Sequence, residues 1–299
     1  MRNALVIMNP IAGARWGART PARIRKRLKE QEIEAEIIQT AQRGDAETIA
    51  REKRKDYDMV VAAGGDGTVN EVASGLLRTD TPLGILPLGT ANVFARDLGI
   101  PLSLKGASGV LAAGVSRAID VGLACFPSEG VERIFLCMAG VGLDADAAHA
   151  YKGVRGTSSR YHQYVVPILQ SIRDFHFPEI RVSIEGSPLL KPATSVIVGN
   201  IRTYGGPFRP TPRADPHDGL LDVCAVSVKN TRDLLRCLWG IMGGRHLRYR
   251  YVTHVAAREV RLESEDPVRV QLDGDAVGLL PANLSVVPRG LVVIAPKPD

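Results

Sequence analysis

A chain of 299 residues and 32.2 kDa has room for two domains, and it can bury enough surface to fold without disulfide or metal staples. Hydrophobic residues at 45% and charged residues at 23% exclude disorder, collagen and coiled coil as the main state. The net charge of +6 sits in residues 1–55, which hold 13 Lys and Arg against 7 Asp and Glu, so these are either solvated basic helix faces or the footing for an anionic partner.

Residues 1–100 alternate strand and helix signals. Ala4–Met8 is a short apolar run ending at Asn9-Pro10, which predicts a buried strand. Thr20-Pro21 reads as a cap with proline at the first helical position, opening a basic helix over Ala22–Glu30. Glu34–Gln39 reads as a second strand. Asp45–Lys55 reads as a polar helix with Ile49 and Ala50 inward. Tyr57–Ala63 is a third strand. Thr68–Leu77 is a helix with Val69, Val72, Ala73 and Leu76 on one face. Leu83–Leu86 and Thr90–Leu98 complete the run as strand and short helix. This order predicts an open parallel α/β sheet with helices on both faces, over residues 1–117.

The rhythm changes after about residue 117. Ten short strands are expected: Arg117–Cys125, Arg133–Met138, Ile180–Glu185, Thr194–Gly199, Leu221–Val228, Val252–Val255, Glu259–Glu263, Val268–Leu272, Asn283–Val287 and Leu291–Ala295. Helices interrupt near Arg160–Phe175 and Arg232–Met242. Many short strands punctuated by turns predict an antiparallel β-sandwich over 118–290. A return of the strand at 291–299 to the first domain is left open.

The four cysteines, Cys125, Cys137, Cys224 and Cys237, form no CxxC pair, so a zinc or redox motif is not expected, and scattered thiols suit a reducing cytosol. Neither a signal-peptide core nor a run of about 20 apolar residues is present. The six histidines (His149, His162, His176, His217, His246 and His254) lack ligand spacing and read as ordinary surface or interface residues. The segment from Gly244 to Tyr251 mixes arginine with tyrosine. It suits a phospholipid surface or nucleic acid, although alternation favours a solvated strand face carrying Arg248 and Arg250. No nucleic-acid motif is present.

The sharpest feature is Gly64-Gly-Asp-Gly-Thr-Val-Asn70-Glu71, between a buried strand and an amphipathic helix. Glycines admit positive φ and close backbone approach, and a helix start offers N–H groups to an anion. The loop fits neither a Walker A sequence nor a GxGxxG fingerprint. A second turn, Pro87-Leu-Gly-Thr-Ala-Asn92, and a third, Asn9-Pro10-Ile-Ala-Gly13, would reach the same carboxyl edge of the sheet, where open α/β folds bind ligands. Read singly, the acids are duller: Asp218-Gly219 and Asp273-Gly274 are ordinary turn pairs, and Asp120 could satisfy backbone groups at a strand end.

Together these blocks, with Ile119-Asp-Val-Gly122, Asp218-Gly-Leu-Leu-Asp222 and Asp273-Gly-Asp275, resemble the soluble bacterial diacylglycerol kinase-like lipid kinases, relatives of the diacylglycerol, sphingosine and ceramide kinases. The resemblance spans nearly the whole chain. The GGDG block alone is shared with NAD kinases and phosphofructokinases. The resemblance implies an NAD kinase/phosphofructokinase-like ATP-binding domain, a β-sandwich domain, and a cleft between them. It implies nucleotide contacts at Asn9, Thr40, Gly64, Gly65, Asp66, Gly67, Thr68, Val69, Asn70 and Thr90. It also implies an acidic network at Asp66 and Asp120. A Mg2+ site would use Asp218 with the carbonyls of Asp215 and Leu220, and Asp275 would be the general base. The chain departs from the family pattern twice: Val93 stands where Asp is frequent, and Asp275 where Glu is usual.

The implied activity is transfer of the γ-phosphate of ATP to a lipid hydroxyl by a cytoplasmic, peripherally membrane-associated enzyme. Contact with anionic lipid is expected, no nucleic-acid partner is expected, and a homodimer is admitted. The rival readings are a kinase of a soluble acceptor, as in NAD kinases, and a non-catalytic lipid or nucleotide binder.

Overall fold

The computed structural model describes residues 2–13, 17–152, 170–189, 191–204 and 208–297. The chain divides into two compact units, Met1–Asp120 with Pro288–Asp299, and Val121–Val287.

In the first unit β1 (Arg2–Met8), β2 (Ile33–Gln39), β3 (Met59–Gly64) and β4 (Leu83–Pro87) pair in parallel in the order β2-β1-β3-β4. Val293, from the chain's last strand, pairs in parallel beside Leu83. Leu5, Val6, Ile7 and Val60–Ala63 are wholly buried. Such unbroken apolar runs belong to parallel strands covered on both faces. The helices are α1 (Thr20–Lys29), α2 (Asp45–Lys53), α3 (Asp66–Leu76), α4 (Val93–Asp97) and α5 (Leu104–Ala113). Helix α2 packs on α3, and α1 on α5. The α2–α3 approach depends on small residues: a β-carbon at Gly75 would lie 2.8 Å from that of Ala50.

Several local expectations need correction. Thr20 does not cap α1; it is the helix's first residue, and its hydroxyl accepts a bond from the Gly17 amide at 3.1 Å. In α2 the inward residues are Ala46 and Ala50, with Ile49 only half-buried. The expected helix over Thr90–Leu98 shrinks to α4, because Asn92 adopts φ +49° and cannot extend it. Helix α5 adds to the expected elements: Ser103 caps it through the Gly106 amide and Gly114 ends it at φ +62°.

The second unit holds β6 (Val131–Phe135), β7 (Met138–Val141), α6 (Leu143–Lys152), β8 (Arg181–Ile184), β9 (Ser187–Pro188), β10 (Ser195–Gly199) and β11 (Leu221–Val226). It continues with α7 (Thr231–Met242), β12 (Val252–Ala257), β13 (Glu259–Glu263), β14 (Arg269–Leu272) and β15 (Asp275–Leu279). Strands β5 (Ser116–Phe126) and β16 (Ala282–Ile294) carry the chain across the division. One antiparallel sheet runs β12-β11-β10-β7-β14-β15; β16, β13, β8 and β9 form the other antiparallel ladder. Val198, Val223, Val260, Leu262 and Leu284 share the core cluster of this unit. This is the β-sandwich expected beside an open α/β sheet.

Strand β11 is buried on both faces. Leu221, Val223 and Ala225 join the sandwich core, while Cys224 and Val226 join Leu143, Leu234, Cys237 and Ile241 in a second cluster. Helix α7 thus covers the outer face of β11 with its own inner face.

Here too the structure departs from some expectations. The expected strands 283–287 and 291–295 are one strand, bent at Pro288 and at Arg289 with φ +52°. Helix α6 and strand β15 add to the expected elements. The segment 244–251 is not a strand: His246–Arg248 forms a 3-10 turn, which breaks the alternation that would have paired Arg248 with Arg250. Of the helix expected at 160–175, residues 170–173 are helical, and 160–169 lie outside the described residues, as does His162.

Candidate active site

In the first unit the polar turns after β1, β3 and β4 share one sheet edge. The Asn9 amide donates to Ala63 O at 3.1 Å and the Thr40 amide to Met8 O at 3.0 Å, so both residues are seated at the ends of strands. A cleft beside them is lined by Asn9, Pro10, Gly17, Thr20, Gln39 and Leu88. Gly64 O accepts from the amides of Leu88 at 2.9 Å and Gly89 at 3.2 Å, which ties the two glycine turns together.

The glycines work by closeness rather than by positive φ. Gly65 is extended, at φ −93° and ψ −173°, and a β-carbon there would lie 3.3 Å from Gly89 Cα. A β-carbon at Gly89 would collide with Gly65 and stand 2.8 Å from Asn92 Oδ1. At Gly64 it would strike Thr68, which is buried, as is Val69. Gly67 differs, because nothing lies within 4 Å of its missing β-carbon. No side chain among the described residues caps α3. Gly67 and the uncapped helix start therefore leave space and N–H polarity where an anion would be held. Asn70 is half-buried and Thr90 is exposed.

Asp66 ties this loop to the next. Its carboxylate accepts from the Phe94 amide at 3.2 Å, and the amides of Val93 and Asn92 also favour its charge. Burial outweighs them and holds the carboxyl above its ordinary range. Val93 therefore contributes its backbone amide to Asp66. Asp120 is 1% exposed and accepts from the Arg289 amide at 2.7 Å, at the bend of β16.

In the second unit, Asp273 takes φ +50° and its carboxylate accepts three amides, from Leu136 at 2.8 Å, Cys137 at 2.8 Å and Met138 at 3.0 Å. It is an anchor that fixes the turn. Gly274 follows at φ +87°, and Asp275 opens β15, half-buried and paired with Leu272.

Three residues that the sequence did not single out support this turn. Gln271 is fully buried; its Nε2 donates to Asp144 Oδ2 at 2.6 Å and its Oε1 accepts from the Gly274 amide at 2.6 Å. Tyr204 also bonds to Asp144. Burial pushes the Asp144 carboxyl up, and burial with the Asp144 charge pushes the Tyr204 hydroxyl well up. The chain Tyr204–Asp144–Gln271–Gly274 ends one residue before Asp275. Its members come from segments sixty or more residues apart, so no local pattern could reveal them.

The turn Asp215–Leu220 lies in the same unit. Asp218 Oδ1 accepts from the Leu220 amide at 2.9 Å, and Asp215 Oδ1 accepts from the His217 amide at 3.1 Å. Asp218 is exposed. An exposed carboxylate and backbone carbonyls are the oxygen type of donor that Mg2+ takes beside its waters. No group of three His, Cys, Asp or Glu suited to a metal occurs among the described residues. Of the histidines read as surface or interface residues, His246 is fully buried and holds Pro210 O at 2.8 Å, and His254 is half-buried with its Nε2 2.6 Å from Asp222 Oδ1.

Comparison with known proteins assigns the two parts of the chain to family models. Residues 3–124 match the diacylglycerol kinase catalytic domain, and 137–295 match the YegS C-terminal NAD kinase beta sandwich-like domain. A diacylglycerol kinase of Mycobacterium tuberculosis (strain CDC 1551 / Oshkosh) is 31% identical over 294 residues, covering 97% of this chain and 94% of the relative. One of Bacillus subtilis (strain 168) is 29% identical over 306 residues, covering 99% and 97%. A solved diacylglycerol kinase structure from Bacillus anthracis str. Sterne superposes with TM-score 0.77 at 24% identity, covering 99% of this chain and 97% of that one, which shows the shared fold. The chain belongs to the diacylglycerol kinase family. No described helix is long and apolar enough to cross a membrane.

Proposed function

We propose that the chain transfers the γ-phosphate of ATP to a lipid hydroxyl, with diacylglycerol as the first acceptor to test, in the cytoplasm at a membrane surface. One observation carries the reading: two glycine turns are pressed together at the sheet edge beside an uncapped helix start with open space at Gly67. Phosphoryl transfer asks mainly for positioning and charge stabilisation, which such an edge supplies.

The loop Gly64–Asn70 would hold the phosphates through backbone N–H groups, with Asn9, Thr40 and Thr90 placing the rest of the nucleotide. Asp66 keeps the two loops in register through the start of α4. Asp275 would accept the proton of the acceptor hydroxyl, on a turn held by Asp273 and Gln271. Asp218, with the carbonyls of Asp215 and Leu220, would hold Mg2+, which would supply a divalent positive charge when bound.

Radiolabelled ATP offered with diacylglycerol, monoacylglycerol, ceramide, sphingosine and NAD tests the reading. Label in a lipid product supports it. Label in NAD alone, or in none, overturns it. Mg2+ should raise the melting temperature of the wild type and not of Asp218→Ala, because a ligand of the folded state stabilises it. Equal shifts in both proteins would remove the ion from this turn.

A further inference from the structure

We propose that the outer face of α7, with the turn that follows it, is the surface by which this protein seats on an anionic lipid bilayer. The proposal deepens the lipid-kinase reading and rests on it for the reason a bilayer matters.

Helix α7 is apolar on two faces. Leu234, Cys237, Gly240 and Ile241 are buried against the sandwich. Leu235, Trp239 and Met242, at helical spacings of four and three, point outward and are 48%, 76% and 43% exposed. They are three of the seven large hydrophobics exposed among the described residues, and the others are scattered along the chain. Among the described residues of the second unit, none covers this stripe. Tryptophan on such a face suits the boundary between headgroups and acyl chains.

The charge around the stripe selects the occupant. Arg232 and Arg236 flank it on one side of the helix, and Arg245, Arg248 and Arg250 follow in the next turn; all five are exposed. Asp233 is the only acid between Thr231 and Tyr251. The turn is folded against the helix rather than swung free. A β-carbon at Gly240 would lie 2.7 Å from the Tyr249 ring, and the Arg236 guanidinium sits 5.3 Å over that ring's centre. Tyr251 packs beside Tyr249 at 5.4 Å. The arginine-tyrosine segment thus extends the helix's exposed face into one apolar stripe with a basic rim. A second copy of the chain fits poorly, because a two-fold contact through this face would bring its arginines against their own kind. A negatively charged lipid surface satisfies both the stripe and the rim.

Sedimentation with vesicles tests this. The full chain should bind vesicles of mixed phosphatidylcholine and phosphatidylglycerol, bind pure phosphatidylcholine weakly, and release as salt rises. In a Trp16→Phe background the emission of Trp239 should shift to the blue on binding. Arg232→Gln with Arg236→Gln, and separately Leu235→Ser with Trp239→Ser, should each weaken binding about tenfold or more, with melting temperatures unchanged. Variants that bind like the wild type would overturn the proposal, as would a wild type that ignores anionic vesicles. A dimer in sedimentation equilibrium that Trp239→Ser dissociates would assign the face to a second copy and also overturn it. Phosphorylation of detergent-dispersed diacylglycerol, measured in parallel, should be unaffected by these variants. If that lipid is phosphorylated while vesicles are ignored, the surface fails and the kinase reading stands. If vesicles are bound through α7 while no lipid is phosphorylated, the reverse holds.

Discussion

The Gly64–Asn70 loop and the Asp273–Asp275 turn do similar work by different means. The first is built from neighbours in sequence. Its glycines allow backbone to press on backbone, and its one acid, Asp66, is satisfied by amides from the adjacent turn. The second is built from distance. Asp273 gathers the amides of residues 136–138, and Gln271 relays to Asp144 and Tyr204. A local loop can be read off a sequence, whereas a turn fixed by remote segments can only be guessed from its two acids.

The contrast is sharpest between Asp273 and Asp275, two residues apart. If Asp275 is the base, Asp275→Asn should lower kcat by about 100-fold or more, with ATP affinity and melting temperature nearly unchanged. Retention of more than about a third of kcat, far from a lost base, would send the proton elsewhere. Asp273→Ala should do the opposite in kind. It strands three amides that now share one carboxylate, so stability should fall by about 2–4 kcal/mol in denaturant unfolding. A stable Asp273→Ala protein with no turnover would exchange the roles assigned to the two acids.

The glycine loop breaks differently. Gly89→Val should disturb the fold, since its first side-chain carbon already meets Gly65. Gly67→Val should fold, because the space over Gly67 is open, and should weaken ATP binding about tenfold if that space belongs to a phosphate. Calorimetry and thermal melts separate the two. Unchanged ATP affinity in Gly67→Val would reduce the loop to a turn.

What the sequence yielded follows the same division. The parallel strands were legible because both faces are buried and the apolar runs are continuous, as at Val60–Ala63. Helix α3 was legible because Val69, Val72, Ala73 and Leu76 keep one stripe. Helix α6 was missed because its small residues, Ala145, Ala147, Ala148 and Ala150, draw no such stripe. The bend at Pro288–Arg289 split one strand into two, since proline and a left-handed residue look like a loop until Asp120 is seen holding the Arg289 amide. Of the two properties expected of the loop glycines, close approach is seen at Gly64 and Gly65, whereas none of Gly64, Gly65 and Gly67 has positive φ and the left-handed residue is Asn92. Asp144, Gln271 and Tyr204 carried no motif, and only the folded chain brings them together.

The smallest effect expected is electrostatic, and it tests whether Asp66 is a tie or a strained acid. Burial raises its carboxyl above the ordinary range despite the amides of Phe94, Val93 and Asn92. For an acid whose folded pKa is raised, ionisation opposes folding. The cost is absent below the unfolded value, where both states are protonated. It appears as pH climbs from there through the folded value, and is complete above it. Asp66→Asn keeps an oxygen for the Phe94 amide and removes the charge. At neutral pH it should therefore melt no lower than the wild type, and higher by a few degrees at most. The gain should vanish below the ordinary carboxylate range. Melting curves across that range check the sign. A variant that melts lower at neutral pH would mean that the three amides outweigh burial, and that Asp66 stabilises the loop as an anion.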